Sequence, residues 1–171
     1  GEIVIINEDG VMSFEFGEHI SKRTCVFEYV YFARPDSQID GIAVTMAREK
    51  MGECLARESA VPADVVIGVP DSGLGAAQGY SKAAGIPYAS GIIKNKYIGR
   101  TFIAPTQKER ENMVFVKLNA VRAVVEGKRV VVIDDSIVRG TTSRRLVQIL
   151  RRAGAREVHF RISSPPVKFP C

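Results

Sequence analysis

The chain contains the segment Val130-Val-Val-Ile-Asp-Asp-Ser-Ile-Val-Arg-Gly-Thr-Thr142, in which an apolar run leads into two acids and a turn of small residues. Residues 130–133 are all β-branched without polar alternation, which is typical of a strand covered on both faces in a parallel sheet. Asp134 and Asp135 follow at its carboxyl end, where open α/β sheets bind their ligands. The segment therefore predicts an α/β fold with a ligand site at this end of the strand.

The residues after the two acids suit an anion. Gly140 lets the backbone approach a ligand closely, Thr141 and Thr142 can donate hydrogen bonds, and the unpaired N–H groups that open a helix near Ser143 favour a phosphate. Carboxylates for hydroxyl groups and amides for a phosphate together suit a ribose 5-phosphate. An alternative needs no ligand: the acids merely end a strand, and Ser136, Thr141 or Thr142 caps the helix.

As a whole, the segment resembles the phosphoribosyl pyrophosphate (PRPP) signature of the type I phosphoribosyltransferases. Four further segments narrow the resemblance: Cys25-Val-Phe-Glu-Tyr-Val-Tyr-Phe-Ala-Arg-Pro-Asp-Ser37, Gly68-Val-Pro-Asp-Ser-Gly73, Lys94-Asn-Lys-Tyr-Ile-Gly-Arg-Thr-Phe102 and Ser163-Ser-Pro-Pro166. Nearly the whole chain is similar, in unbroken order, to the transferase domain of the glutamine phosphoribosylpyrophosphate amidotransferases. The resemblance implies a type I phosphoribosyltransferase fold, with a central, mostly parallel sheet flanked by helices and an N-terminal β-hairpin.

The spacing of apolar residues along the chain predicts alternating strands and helices around one sheet. We predict a hairpin over residues 1–16, strands over residues 25–33, 65–69, 88–93, 130–133 and 157–162, and helices over residues 42–59, 74–84 and 116–125 and from residue 144 onward. Lys94–Met113 is polar and basic without an apolar period, and it is predicted to be a long mobile loop.

The chain is expected to be one phosphoribosyltransferase domain, residues 1–171, with a hairpin and linker remnant in residues 1–24 and the core in residues 25–171. The family's glutaminase domain and C-terminal portion are expected to be absent. The reaction that the resemblance implies is phosphoribosyl transfer from PRPP to ammonia, which gives 5-phosphoribosylamine and pyrophosphate in the first step of purine synthesis. Glutamine would serve only with the glutaminase domain.

Two groups of residues carry the catalytic roles that the resemblance implies. Asp134 and Asp135 would hold the ribose hydroxyls and support the positive charge that develops on the ring. Lys94, Tyr97 and Arg100 lie in a segment that resembles the family's flexible loop, which closes over PRPP and excludes water.

The remaining site residues bind PRPP and a metal ion. Pro70–Gly73 resembles the family's pyrophosphate loop, although alone it also reads as a plain β-turn. Magnesium suits the site because it is usually held by few protein oxygens together with substrate phosphates. The residues implied for PRPP binding are Asp71, Ser72, Gly73, Ser136, Ile137, Val138, Arg139, Gly140, Thr141 and Thr142, and those implied for Mg²⁺ are Ser72, Asp134 and Asp135.

The three cysteines are widely spaced and odd in number, which argues against a disulfide framework and favours a reducing cytoplasm. Cys25 and Cys171 match two of the four thiolate positions that ligate an iron–sulfur cluster in one branch of the family. We therefore expect a [4Fe–4S] cluster in the intact parent, and no proper assembly here because such clusters require four thiolates. Cys54 is predicted to be buried packing.

Composition limits the partners. A net charge of +5 over 171 residues is modest, and no apolar run approaches the roughly 20 residues of a membrane span. We expect neither a nucleic-acid nor a membrane partner, but a homo-oligomer that binds PRPP, ammonia and pyrophosphate, with purine nucleotides as inhibitors. A transferase for a nucleobase and a PRPP-binding regulator without turnover remain alternatives.

Overall fold

The computed structural model of the protein describes residues 2–15, 23–95 and 118–168. Its first element is a two-stranded antiparallel hairpin formed by β1 (Glu2–Asn7) and β2 (Gly10–Glu15), with Asn7 opposite Gly10. The side-chain oxygen Oδ1 of Asn7 accepts a hydrogen bond of 3.0 Å from the amide of Asp9, a common role for Asn in a turn. The predicted N-terminal hairpin is confirmed.

The other elements are two pairs of short consecutive strands together with alternating strands and helices. A single π-helical turn, Glu28–Phe32, precedes them. In chain order they are β3 (Gln38–Ile39), β4 (Ile42–Ala43), α1 (Val44–Glu58), β5 (Val65–Gly68), α2 (Gly73–Ala84), β6 (Ile92–Lys94), β7 (Leu118–Ala120), α3 (Arg122–Val125), β8 (Arg129–Asp134), α4 (Thr141–Arg152) and β9 (Glu157–Ile162).

The central sheet is parallel and has the order β5-β8-β9. Val66 of β5 lies opposite Val131 of β8, which lies opposite His159 of β9. A parallel bridge between Val66 and Tyr88 extends the sheet by one position on the β5 side. The predicted parallel sheet is confirmed, and the carboxyl ends of β5 and β8 lie side by side.

Helices cover both faces of this sheet. On one face, Leu146 and Leu150 of α4 pack with Val130 and Val132 of β8, all of them fully buried. On the other face, Val131 and Ile133 pack with side chains of α1 and α2. This three-layer arrangement explains why β8 has no polar alternation. None of the helices in residues 2–15, 23–95 and 118–168 is long and apolar enough to cross a membrane.

The strand predicted over residues 25–33 is wrong. The backbone there is helical, and the amide of Ala33 donates a hydrogen bond of 3.0 Å to the carbonyl of Glu28, five residues earlier. The aromatic and β-branched residues of this stretch favour a strand by propensity, but a contact distant in sequence prevails: Arg48 donates hydrogen bonds to the carbonyls of Tyr29 and Ala33.

Three smaller predictions also differ from the structure. The described part of the helix predicted over residues 116–125 is strand β7, paired antiparallel with β6, followed by the four-residue helix α3. Helix α4 begins at Thr141, earlier than predicted. Cys54 is exposed rather than buried, because it lies on the solvent side of α1. The predicted loop over residues 94–113 lies almost entirely outside the described residues.

Candidate functional site

Two adjacent carboxylates stand at the carboxyl end of β8. Asp134 and Asp135 are only 8% and 7% exposed, which is unusual for acidic residues. Their carbonyl oxygens accept hydrogen bonds of 3.0 Å from the amides of Ser163 and Ser164, just beyond β9. The neighbouring strand therefore holds the backbone of both acids in place.

The electrostatics of this pair favour a cation. The pKa of Asp134 is raised to about 6, mainly by burial and then by the negative charge of Asp135, while a 3.0 Å hydrogen bond from the Asp135 amide to Asp134 Oδ1 opposes the rise. Two negative charges held together out of water are costly unless a cation joins them. The pair can thus bind a metal ion or stabilise positive charge on a bound sugar ring.

The loop between β5 and α2 contacts the same carboxylates. The hydroxyl of Ser72 donates a hydrogen bond to Asp135 Oδ2. At Gly73, a Cβ atom would come within 2.5 Å of the carbonyl oxygen of Ile133, so only glycine lets this loop lie directly against β8. The peptide bond between Pro70 and Asp71 is cis.

Lys94, at the end of β6, reaches this loop from the other side. Its Nζ lies 2.6 Å from Oδ2 of Asp71, and both side chains are largely exposed. The two residues border a cavity of about 410 Å³, which is also lined by Ser72, Arg48 and Arg34. Because Lys94 and Arg34 bring positive charge and Ser72 brings a hydroxyl group, this cavity is suited to an anionic group such as a pyrophosphate.

The loop between β8 and α4 lines a second cavity, of about 670 Å³. Gly140 has a positive φ of 71° and stands at the amino end of α4, and no side chain caps that end. Along the loop from Ser136, the first amide that donates to a backbone carbonyl within the described residues is that of Arg144, which bonds to Gly140 at 3.0 Å. The preceding amides are therefore available to an anion.

The alternative in which Ser136, Thr141 or Thr142 merely caps the helix is wrong. The Ser136 hydroxyl donates to Oδ1 of Asp135, and the two threonines lie inside the first turn of α4 without a capping bond. The structure brings the predicted residues Asp134–Thr142 together around one cavity, with Ile137 and Val138 exposed to solvent.

Several residues at the site were missed by sequence reasoning. Phe27, Tyr31 and Phe32 line the larger cavity opposite the β8–α4 loop, and Arg48 lines the smaller one. The strand prediction for residues 25–33 concealed these aromatic residues, although the four-residue spacing of Phe27 and Tyr31 is a helical signal. Nothing in the sequence indicates a role for Arg48, because its position in the pattern is that of an ordinary polar residue on a helix.

The other predicted site residues differ in whether the structure describes them. Tyr97, Arg100 and Cys171 lie outside the described residues, so their assigned roles stay predictions. Cys25 is described and exposed. His159, for which the sequence offered no partner, lies with Nε2 3.1 Å from Glu157.

The donor set fits a magnesium ion that is shared with a substrate. In the part of the chain that the structure describes, no three His, Cys, Asp or Glu side chains cluster as a ready-made metal site. Ser72, Asp134 and Asp135 nevertheless offer adjacent hard oxygen donors, and magnesium usually completes so small a set with water and substrate phosphates.

Comparison with known proteins identifies the fold and the family. The family model "Phosphoribosyl transferase domain" matches residues 45–163, more than half of the chain and all of the central sheet. The chain belongs to the phosphoribosyltransferase domain family. The predicted fold class is thereby confirmed.

Within this family, the chain is similar over its whole length to proteins of one named kind. The chain is 62% identical over its whole length to an amidophosphoribosyltransferase of Bacillus subtilis (strain 168) and 57% identical to one of Archaeoglobus fulgidus, covering 36% and 37% of those proteins. It matches the structure of glutamine phosphoribosylpyrophosphate amidotransferase from B. subtilis complexed with ADP and GMP with a TM-score of 0.86 and 62% identity, covering all of this chain and 38% of that one. This phosphoribosyltransferase domain thus spans about a third of the length of the relatives it matches.

Proposed function

We propose that this phosphoribosyltransferase domain transfers the phosphoribosyl group of PRPP to ammonia, forming 5-phosphoribosylamine and pyrophosphate for purine synthesis. The observation that most directly supports this proposal is that three groups lie together at one edge of the sheet: the Asp134–Asp135 pair, the Ser72 hydroxyl bonded to it, and the uncapped amino end of α4. The names of the relatives, which are amidophosphoribosyltransferases, support this choice of acceptor over others.

Each part has a role in the proposed reaction. The amides before Arg144 and the hydroxyls of Thr141 and Thr142 would bind the 5-phosphate. Asp134 and Asp135 would accept hydrogen bonds from the ribose hydroxyls, so that their negative charge faces the ring as it becomes positive.

At the other end of the substrate, Lys94 would bind the pyrophosphate beside Asp71 and Ser72. The bond between C1 and the pyrophosphate oxygen breaks, a bond from the ammonia nitrogen to C1 forms, and a proton leaves the new amine to solvent. Ammonia attacks as the free base, so no protein base is required. A bound Mg²⁺, held by Ser72, Asp134 and Asp135, would neutralise charge on the departing pyrophosphate.

The finer features follow from the same assignment and remain proposals. Glutamine would serve as the nitrogen source only when a glutaminase domain releases ammonia from it. Since the B. subtilis structure is a complex with ADP and GMP, we propose that purine nucleotides inhibit this domain by placing their 5′-phosphate in the β8–α4 loop. Tyr97 and Arg100 are proposed to close over PRPP.

The test is pyrophosphate release from PRPP in ammonium buffer at alkaline pH with Mg²⁺. We expect release that increases with the concentration of free ammonia and is lost in an Asp134→Asn, Asp135→Asn double variant. Asp9→Asn, in the turn of the β1–β2 hairpin, is the matched control and should retain the wild-type rate. Tight PRPP binding without release would contradict the proposed transfer and favour a binding-only role.

One observation favours a second candidate, a transferase for a nucleobase. The rings of Tyr31 and Phe32 are 55% and 68% exposed and line the larger cavity, where an aromatic base could stack. Incubation of the protein and PRPP with adenine, hypoxanthine or orotate distinguishes the two functions, because only a nucleobase transferase releases pyrophosphate in a base-dependent manner without ammonia.

A further inference from the structure

The guanidinium of Arg48 is buried and bonded to backbone rather than to a carboxylate. Arg48 lies in the first half of α1 and is 5% exposed. Its Nε donates to the carbonyl of Tyr29 at 2.7 Å, and Nη2 donates to the carbonyl of Ala33 at 2.8 Å. Among the ion pairs of the described residues, none includes Arg48.

This arrangement is electrostatically expensive. Burial lowers the pKa of Arg48, and the attraction of Asp135 only partly offsets that effect. Charged donors make the stronger hydrogen bonds to carbonyl groups, which compensates part of the desolvation cost. An apolar side chain could fill the same space more cheaply, so the specific gain lies in the two carbonyls that the cation holds.

Those two carbonyls flank the aromatic residues at the site. Between them lie Tyr31 and Phe32, whose rings meet edge to face with centroids 5.5 Å apart. Both rings border the 670 Å³ cavity of the β8–α4 loop and also the 410 Å³ cavity of Asp71 and Lys94. The π-helical turn thus presents one aromatic wall to the two halves of the candidate site.

We propose that Arg48 is a positioning residue for substrate binding, because its two hydrogen bonds to Tyr29 and Ala33 hold the π-helical turn so that Tyr31 and Phe32 form the wall shared by both cavities. The inference rests on the proposed function for its ligand, PRPP. Arg48 acts on that ligand through the wall, and its contribution is lost when the wall is removed.

A double-mutant cycle tests this directly. PRPP affinity is measured by calorimetry with Mg²⁺ for wild type, Arg48→Met, the wall variant Tyr31→Ala with Phe32→Ala, and the combination of all three. We expect Arg48→Met to weaken binding roughly ten- to hundredfold. The combined variant should bind about as weakly as the wall variant alone, since the two changes remove one interaction.

The control and the contradicting results are well defined. Arg161→Met removes another part-buried arginine that donates to a carbonyl, that of Ser59, and lines neither cavity, so it should bind PRPP like wild type. If Arg48→Met binds like wild type, or if the combined variant loses affinity by the product of the two separate effects, the positioning role is overturned.

A second measurement does not depend on the ligand. Arg48→Lys keeps the charge but cannot serve both carbonyls with the same planar fork. Hydrogen exchange of the amides in residues 28–33 should accelerate in this variant while exchange in β5 stays at the wild-type rate. Unchanged exchange in residues 28–33 would overturn the inference. Failure of wild type to bind PRPP would instead refute the proposed function, and the exchange result would still decide the role of Arg48.

Discussion

The hydroxyl of Ser72 donates a hydrogen bond to Oδ2 of Asp135, a residue 63 positions later in the chain. This bond joins the loop after β5 to the loop after β8, and these loops are the proposed binding sites for the pyrophosphate and the 5-phosphate. Because β5 and β8 pair in parallel, both loops emerge at the same edge of the sheet. The two ends of one extended substrate can therefore be held by neighbouring strand ends.

Removal of that hydroxyl should weaken substrate binding. Ser72→Ala removes the donor to Oδ2 of Asp135 and leaves only the Ser136 hydroxyl bonded to Oδ1, and we expect the Mg²⁺-dependent affinity for PRPP to fall roughly tenfold. Ser81→Ala is the matched control. It removes a hydroxyl that donates to the Ile86 carbonyl, and it lies near the C-terminal end of α2, the helix that follows Ser72. Equal PRPP affinities for the two variants in calorimetry would contradict a binding role for Ser72.

Asp134 should make stability depend on pH. Its folded pKa of about 6 lies above its ordinary value of 3.8, so the folded protein binds the extra proton. The resulting stabilisation is complete below pH 3.8 and is lost as the pH rises through 6. Without substrate or metal, Asp134→Asn should be more stable than wild type at pH 7.5 by roughly 3 kcal/mol, with the difference shrinking toward pH 4.

Urea unfolding of both proteins between pH 4 and 7.5 measures this effect. Asp9→Asn serves as the control for a carboxylate lost from an exposed turn. A pH-independent difference between wild type and Asp134→Asn would show that the carboxylate is not perturbed. Acidic conditions below pH 4 are avoided because Asp64, whose pKa the bond from Arg129 lowers to about 2, titrates there with the opposite sign.

The crossing of α1 and α2 should tolerate no side chain at Gly79. A Cβ there would stand 1.9 Å from the carbonyl oxygen of Glu49, and reciprocally a Cβ at Gly52 would stand 1.9 Å from that of Ala76. Gly79→Ala must push the helices apart, and we expect it to lower the free energy of unfolding by roughly 3 kcal/mol.

Gly75→Ala is the matched control in the same helix, since a Cβ there meets the Arg48 side chain at 3.1 Å and comes no closer to a backbone atom than 3.9 Å, at the carbonyl of Thr45. Its gain in helix propensity, about 1 kcal/mol, should offset much of that contact. Both free energies are measured by chemical denaturation. Similar stabilities for the two variants would mean that the helices are not in this close contact.

The pair of Lys94 and Asp71 should matter for binding but not for stability. Their side chains are 50% and 72% exposed, and exposed ion pairs contribute at most about 1 kcal/mol. Lys94→Gln should leave the melting temperature nearly unchanged, lower the affinity for PRPP and reduce the salt dependence of binding. Lys50→Gln, which loses a pair with the partly exposed Glu53 on α1, should change neither binding property. A wild-type affinity in Lys94→Gln would contradict the role of Lys94.

The elements around the sheet could be predicted because their signals are local. The run from Val130 to Ile133 is apolar on both faces. The sequences of α1 and of the strand Glu157–Ile162 have a clear hydrophobic periodicity and clear boundaries. The site residues at the end of β8 followed from the rule that parallel sheets bind ligands at their carboxyl ends.

The aromatic wall could not be predicted, because its conformation depends on residues distant in sequence. Residues 25–33 have the composition of a strand, yet two hydrogen bonds from Arg48, 15 and 19 positions away, hold them in a helical form. The bond between Ser72 and Asp135 is equally invisible in sequence, as is the burial that raises the pKa of Asp134.

Sequence alone was sufficient for the α/β class and the parallel strands, and it proposed the candidate site residues, because hydrophobic period and turn chemistry act over a few residues. Tertiary structure decided which loops meet, that burial raises the pKa of Asp134, and that an aromatic wall borders the same cavity. Burial, charge coupling and close helix contact depend on groups that are far apart in the chain, so they exist only once the chain is folded.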